Sequence, residues 1–348
     1  MTQKNNPLYF FLIVFLTMVS SACKKNNSLE NKTLNGGDVY VAGYESNGSV
    51  TIAKYWKNGT EVLLTNGTYS AYASSIVVVG SDVYVAGTEF NGSNLVGKYW
   101  KNGVETILTD INYLGEARAI TVVNNDIYVA GYESNGSFYV AKYWKNGVAY
   151  ALTDGTKNAV ANDIVVVGND IYVCGTEENN GNNDVAKYWK NGVAIDLGAG
   201  FYDSYVGAIA VTGNDVYVAG SEGNGTVSNA KVWKNGIATI LPAMNQGANA
   251  YVTSLYIIGS DVYVSGFQIN GTMFSAKYWK NGIMTNLSPN LPDAKSCAIT
   301  VMNNDIYVCG YEYESNGSKY VAKYWKNGSM VNLSNGTHDA YGISIFVQ

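Results

Sequence analysis

Arg118 and His338 are the only arginine and the only histidine in the chain. A guanidinium is a planar fork suited to a carboxylate, and an imidazole is the usual proton carrier near neutral pH. His338 has no serine, cysteine or second histidine visibly placed to work with it, so its expected place is the surface rather than a catalytic centre. Arg118 sits near Glu116 and Asp110, which makes it either half of a local ion pair or a donor to a ligand's acid group. Both residues lie in stretches that vary along an otherwise repetitive chain. The same stretches carry Tyr72, Tyr113, Tyr202, Tyr205, Tyr251 and Tyr341. Tyrosines grouped with asparagines, aspartates and one arginine suit a surface that binds a glycan or a peptide. The aspartates Asp110, Asp154, Asp203, Asp293 and Asp339 leave a second reading open, a glycan hydrolase or lyase working with two carboxylates. That chemistry needs a defined separation between the acids, which a sequence does not give.

A further acidic series is regular. Glu45, Glu89, Glu133, Glu177, Glu222 and Glu312 each stand two places after a repeated glycine, with Gln268 in the sixth copy. On equivalent turns they would form an acidic ring able to attract a cationic partner. The plainer alternative is that each pairs locally with a lysine or a backbone donor. A hard metal ion needs about six to eight converging oxygens, so neither a metal site nor a cofactor is expected.

The elements that must position these residues follow from one hexapeptide, Lys-Tyr-Trp-Lys-Asn-Gly. It begins at Lys54, Lys98, Lys142, Lys187, Lys231 (with Val232 for tyrosine), Lys277 and Lys323. It holds every tryptophan, at spacings of 44, 44, 45, 44, 46 and 46 residues. A second motif, Asp-Val/Ile-Tyr-Val-x-Gly, recurs seven times from Asp38 to Asp305. Such a period marks a repeat architecture. Each unit divides into four apolar pieces separated by Gly-Ser, Asn-Asn or Asn-Gly turns. Asn-Gly suits two-residue hairpins because both central positions require positive φ. One unit is therefore a four-stranded antiparallel meander. Its first two strands lack strict alternation, so both faces of each sheet are expected to be covered.

Four-stranded sheets repeated around an axis form a β-propeller. The first unit begins at its second strand, Asp38–Gly43, whereas Ile343–Val347 form a first strand with nothing after it. The expected fold is all-β, a seven-bladed β-propeller closed by the C-terminal strand pairing with the first blade. The seven tryptophans are expected as blade-to-blade wedges rather than a sugar platform. The repeated aspartates are expected to hold their preceding turns, and the repeated lysines to be solvated edge charges.

Residues 1–22 read as an export signal: Lys4, then the apolar run Leu8–Val19, then Ser20-Ser21-Ala22. Cys23 follows at once, as in a bacterial lipoprotein signal. Cys23 is thus the expected lipid attachment point, residues 23–37 a flexible tether and 38–348 the propeller. Cys174, Cys297 and Cys309 show no paired framework and are expected as free thiols. With 22 basic and 27 acidic residues the net charge is −5, and no basic stripe suggests a nucleic-acid partner.

Ala186–Trp189, Gly192, Leu197, Ala208-Ile209 and Val218–Gly220 give the order Ala-x-x-Trp-x-x-Gly, Leu, Ala-Ile, Val-x-Gly. This order resembles the extracellular repeats called the HAF family, although tyrosine and lysine replace the His-Ala-Phe. The resemblance implies a propeller-like exported protein and no particular chemistry. The expectation from sequence is a monomeric, non-catalytic binding or scaffold module, lipid-anchored in the bacterial envelope. Its partner would be an envelope protein or an extracellular glycan, met through the variable-loop face.

Overall fold

The computed structural model describes residues 37–348 apart from 244–246, 290–292 and 315–316, together with the backbone but not the side chain of Asn270. The expectations for the export signal, most of the tether and Cys23 lie outside the described residues. Twenty-eight strands form seven four-stranded antiparallel sheets, and no helix occurs among the described residues. The chain is an all-β seven-bladed propeller. Blades 2 to 7 span 71–107, 115–151, 159–196, 204–240, 249–286 and 294–332, each running from its innermost to its outermost strand. Blade 1 takes three strands from 39–63 and its innermost strand, Ala340–Val347, from the other end of the chain. That closing strand runs in register from Val39↔Val347 to Glu45↔Ala340. The main-chain N–H of Gln348 also donates to the Asp38 carbonyl at 3.1 Å, so both ends of the propeller meet at one corner of blade 1. The seven innermost strands pack on one another around the axis.

Seven separate apolar clusters hold the ring, each lying between two adjacent blades and each containing one tryptophan. Trp189, for example, packs on Ala119, Tyr128, Ala130 and Ala141 of the preceding blade, and Trp233 on Tyr172, Cys174 and Ala186. Trp56 seals the seam by packing on Tyr307, Cys309, Ala322 and Tyr324 of blade 7. All seven indoles are at most 1% exposed, so none offers a sugar platform. They are wedges, as large buried aromatics in a stack of sheets should be.

The two ends of the propeller differ. At the turn end, all seven Lys-Asn-Gly turns take the tight conformation that Asn-Gly favours, with Asn58 at φ 51° and Gly59 at φ 82° as the first example. Here the repeated aspartates depart from expectation, because they bind side chains of the neighbouring turn rather than their own turn's backbone. Asp82 accepts from Lys101 at 2.9 Å and from Asn102 at 2.8 Å. The Asn102 side chain in turn accepts the Val83 N–H at 2.8 Å. The reason is register: Tyr84 lies opposite Lys101, which brings the first strand pair's turn beside the Lys-Asn-Gly turn. At the link end, Asn-Gly behaves differently from expectation too. Asn135–Phe138 is a four-residue loop in which only Gly136 has positive φ, while the Asn135 side chain accepts the N–H groups of Ser137 and Phe138.

The first lysine of each hexapeptide also corrects the edge-charge expectation. Lys54, Lys98, Lys187, Lys277 and Lys323 are buried, and Lys142 and Lys231 are half-buried. In the third strand, Lys54 lies opposite Gly43, so it shares a face with Glu45 two residues on and reaches it at 2.8 Å. The second lysine of the motif is more open to solvent in six blades, as with Lys57 and Lys101, and less so at Lys326, and it pairs with the turn aspartate.

Candidate functional site

Every innermost strand carries a β-bulge at the same place. A bulge inserts one extra residue, breaks the ladder and re-aims a side chain. The seven extra residues are Ser74, Arg118, Asn162, Gly207, Thr253, Cys297 and Ile343. With the residues that follow them they line a central cavity of ≈ 440 Å³. The residue just before the bulge is small or valine in every blade, and Ile-x-Val follows it in six of the seven, whereas the seven bulge residues all differ. Here, as in the links, the repeat is not kept.

Part of this ring stitches blades together. Ser344, Ser75 and Ser254 accept the N–H of Ile76, Ile120 and Ile299 in the next blade at 3.2, 3.3 and 3.4 Å. Asp163 accepts the N–H of Ile209 and of Ile164, both at 2.9 Å. Its carboxyl lies partly open to the cavity, yet desolvation outweighs those bonds and pushes its pKa up to about 6. Asn162 donates to the Val206 carbonyl at 2.7 Å, leaving its oxygen for Arg118 Nη1 at 2.6 Å. Arg118 Nε binds Glu116 at 3.1 Å, and the guanidinium lies 4.8 Å from the Tyr132 ring. Burial disfavours the Arg118 charge, but Glu116, Tyr205 and Tyr132 together outweigh that cost. Cys297 is a free thiol whose pKa burial raises to about 12.

Two residues above each bulge, at the link end, a wider ring forms the mouth: Tyr72, Glu116, Val160, Tyr205, Tyr251, Lys295 and Tyr341. Blades 6, 7, 1 and 2 supply an aromatic arc. Tyr341 contacts Tyr311, Tyr320 and Tyr44, with ring centroids 4.7, 5.5 and 5.0 Å apart, and Tyr44 meets Tyr72 at 4.9 Å. Tyr251 stacks on Phe267 at 5.3 Å. Lys295 spans the gap between these groups, its ammonium 4.8 Å from the Phe267 ring and 3.7 Å from that of Phe274. Burial lowers the Lys295 pKa and raises those of Tyr44 and Tyr311.

Of the residues singled out from sequence, the fold gathers Arg118, Tyr72, Tyr205, Tyr251 and Tyr341 around the mouth and channel. It places Tyr113, Tyr202 and His338 elsewhere, each over the glycine of a link-end turn: Gly136, Gly225 and Gly48. The glutamate series is paired locally. Glu45, Glu89, Glu133, Glu177, Glu222 and Glu312 bind Lys54, Lys98, Lys142, Lys187, Lys231 and Lys323. The link aspartates are also in use. Asp203, Asp293 and Asp339 accept the N–H groups of Asp184, Phe274 and Tyr320 in the preceding blade. Asp154 and Asp110 close local turns. Among the described residues no group of three His, Cys, Asp or Glu is placed to hold a metal ion. Sequence reasoning missed Cys297, Asn162, Asp163 and Lys295. Aligning the repeats flags Asp163, which breaks a column otherwise of serine and alanine, and Lys295, the one cation in a column that is tyrosine in four blades; Cys297 and Asn162 stand in the bulge column, where no two residues agree. A second groove, of ≈ 550 Å³, beside blade 2 is lined by Leu64, Tyr69, Phe90 and Ile111 among others. Its charged groups, Lys98, Glu89 and Glu105, are already paired with one another.

No family model matches the chain, and no curated protein matches it. Among solved structures it is similar to the β-propeller domain of the Trilobed protease from Pyrococcus furiosus. The identity is 9% and the TM-score 0.51, covering 86% of this chain and 95% of that one. This similarity concerns the fold alone. That domain is described as having an open velcro topology, whereas blade 1 here is closed by strand pairing. Two further matches are an acylaminoacyl peptidase from Pyrococcus horikoshii and a puromycin-hydrolysing peptidase from Mycobacterium tuberculosis. Their identities are 10% and 12%, their TM-scores 0.46 and 0.40, and they cover 75% and 76% of this chain. The chain spans about half the length of each, 45% and 53%.

Proposed function

We propose that the protein is a non-catalytic binding module of a bacterial envelope, monomeric and lipid-anchored through Cys23. It engages an envelope protein or an extracellular glycan with its link end. The observation that carries this reading is the ring of seven unlike bulge residues inside a scaffold that is otherwise repeated seven times. Architecture alone would be served by one residue type at all seven places, so seven different residues turned to one cavity favour recognition there. The hydrolase or lyase reading loses its acids to other tasks. Asp163 is pinned by two backbone donors, Glu116 by Arg118, Asp203, Asp293 and Asp339 by bonds to the preceding blade, and Asp110 and Asp154 by local turns.

The test is an array of glycans and peptides probed with the purified full-length chain. Saturable binding should fall at least tenfold in an Arg118→Ala, Tyr205→Ala double variant and stay unchanged in Tyr113→Ala, whose ring lies away from the channel. Loss in Tyr113→Ala alone, or turnover of the bound compound, refutes the reading.

A further inference from the structure

Resting on that reading of the mouth, the chemistry of its two halves narrows the ligand. Lys295 is held half-buried over two phenylalanine rings and has no carboxylate within ion-pair reach among the described residues. Asp293, two residues before it, already accepts from Phe274 N–H and from the Tyr320 hydroxyl. A partly desolvated cation without a counter-ion is costly, and a ligand anion would relieve that cost. Beside it stand Tyr311, Tyr341, Tyr44 and Tyr72, half-buried rings that fix one another at 4.7–5.0 Å. Their hydroxyls make no hydrogen bond to the described residues. Rings pre-set in this way lose little entropy on binding, and they present flat apolar faces with hydroxyl groups at the edges. Below them, on the side of blades 6, 1 and 2, the cavity wall bears the hydroxyls of Ser74, Ser75, Thr253, Ser254 and Ser344, while Arg118 and Asp163 also line the cavity.

Peptide recognition centres on large aromatic or arginine side chains filling desolvated pockets, and the wall of this cavity is mixed, small alanines and Ile343 standing among hydroxyls. A polyol with C–H faces and one acid group fits both halves. We propose that the mouth takes a carboxylate-bearing saccharide, with its acid group on Lys295 and its sugar rings against the tyrosine arc.

The experiment is calorimetric titration of the full-length chain with hexamers of galacturonate, of mannuronate and of a glucuronate-containing copolymer. Neutral hexasaccharides and hexaglutamate serve as class controls. At least one uronate should bind saturably and more tightly than every neutral sugar and than hexaglutamate. Lys295→Gln should weaken it about ten- to a hundredfold, the range of a charge-assisted bond. Tyr341→Ala should weaken it further. On the unaltered protein, raising the salt from 20 to 500 mM should also weaken binding, because a rim charge is screened. Binding of no uronate, equal binding of neutral sugars or hexaglutamate, or indifference to both Lys295→Gln and salt overturns the proposal. Binding of some other array compound that depends on Arg118 and Tyr205 would overturn the saccharide assignment while sustaining the binding module. Shortening of a bound uronate would sustain the saccharide and refute the non-catalytic reading.

Discussion

Asp163 gives the sharpest quantitative consequence of the channel. Its folded pKa is about 6 against an ordinary value of 3.8, raised by burial against the pull of two backbone N–H donors. The shift is about 2 units, and each unit corresponds to about 1.4 kcal/mol. The folded state therefore holds this proton more tightly than the unfolded chain. Stability from it is fully present below pH 3.8, declines as the pH rises through about 6 and is gone above that. The total is about 3 kcal/mol, an upper bound because the carboxyl is partly open to the cavity. Asp163→Asn removes the titration. The amide oxygen still accepts one N–H, while the amide nitrogen meets the other, a pH-independent penalty of about 1 kcal/mol. The seven turn aspartates, whose pKa values their lysine and asparagine partners lower, act in the opposite sense and lose stability as the pH falls. They are common to both proteins and cancel in the difference. Urea denaturation of both chains from pH 4 to 8 should show the variant gaining up to about 3 kcal/mol on the natural protein across that range. A difference that stays flat would refute the desolvation argument.

Trp189→Ala empties one blade-to-blade cluster and should cost about 3–5 kcal/mol in the same denaturation assay. A cost below 1 kcal/mol would show that the wedge does not hold the ring. Lys323→Met leaves Glu312 buried without its cation and should cost about 3–5 kcal/mol, most of it recovered in a Lys323→Met, Glu312→Leu pair. Cost without recovery would indicate that packing, not charge, is lost.

The blade was legible because its signals are local. Asn-Gly turns and the seven tryptophans report a period that only stacked sheets satisfy, and the unpaired strand at each chain end identifies the seam. The first lysines were misread because one residue's exposure depends on its cross-strand neighbour: Gly43 opposite Lys54 is invisible as a contact until register is known. The channel was only half legible. Arg118 was conspicuous by rarity, yet Asn162 and Thr253 resemble any loop residue until seven bulges align them. Tyr113 and Tyr202 share composition with Tyr205 and Tyr341. They differ in standing two places before their strand begins, which sends them over a turn glycine instead of toward the axis.

The seam of blade 1 also gives the molecule a polarity. Gly37 and Gln348 lie together at the corner carrying the Asp-Lys-Asn turns, opposite the tyrosines. A label joined at either of these two residues would sit at that end and leave the aromatic rim uncovered, like a cup held by its base.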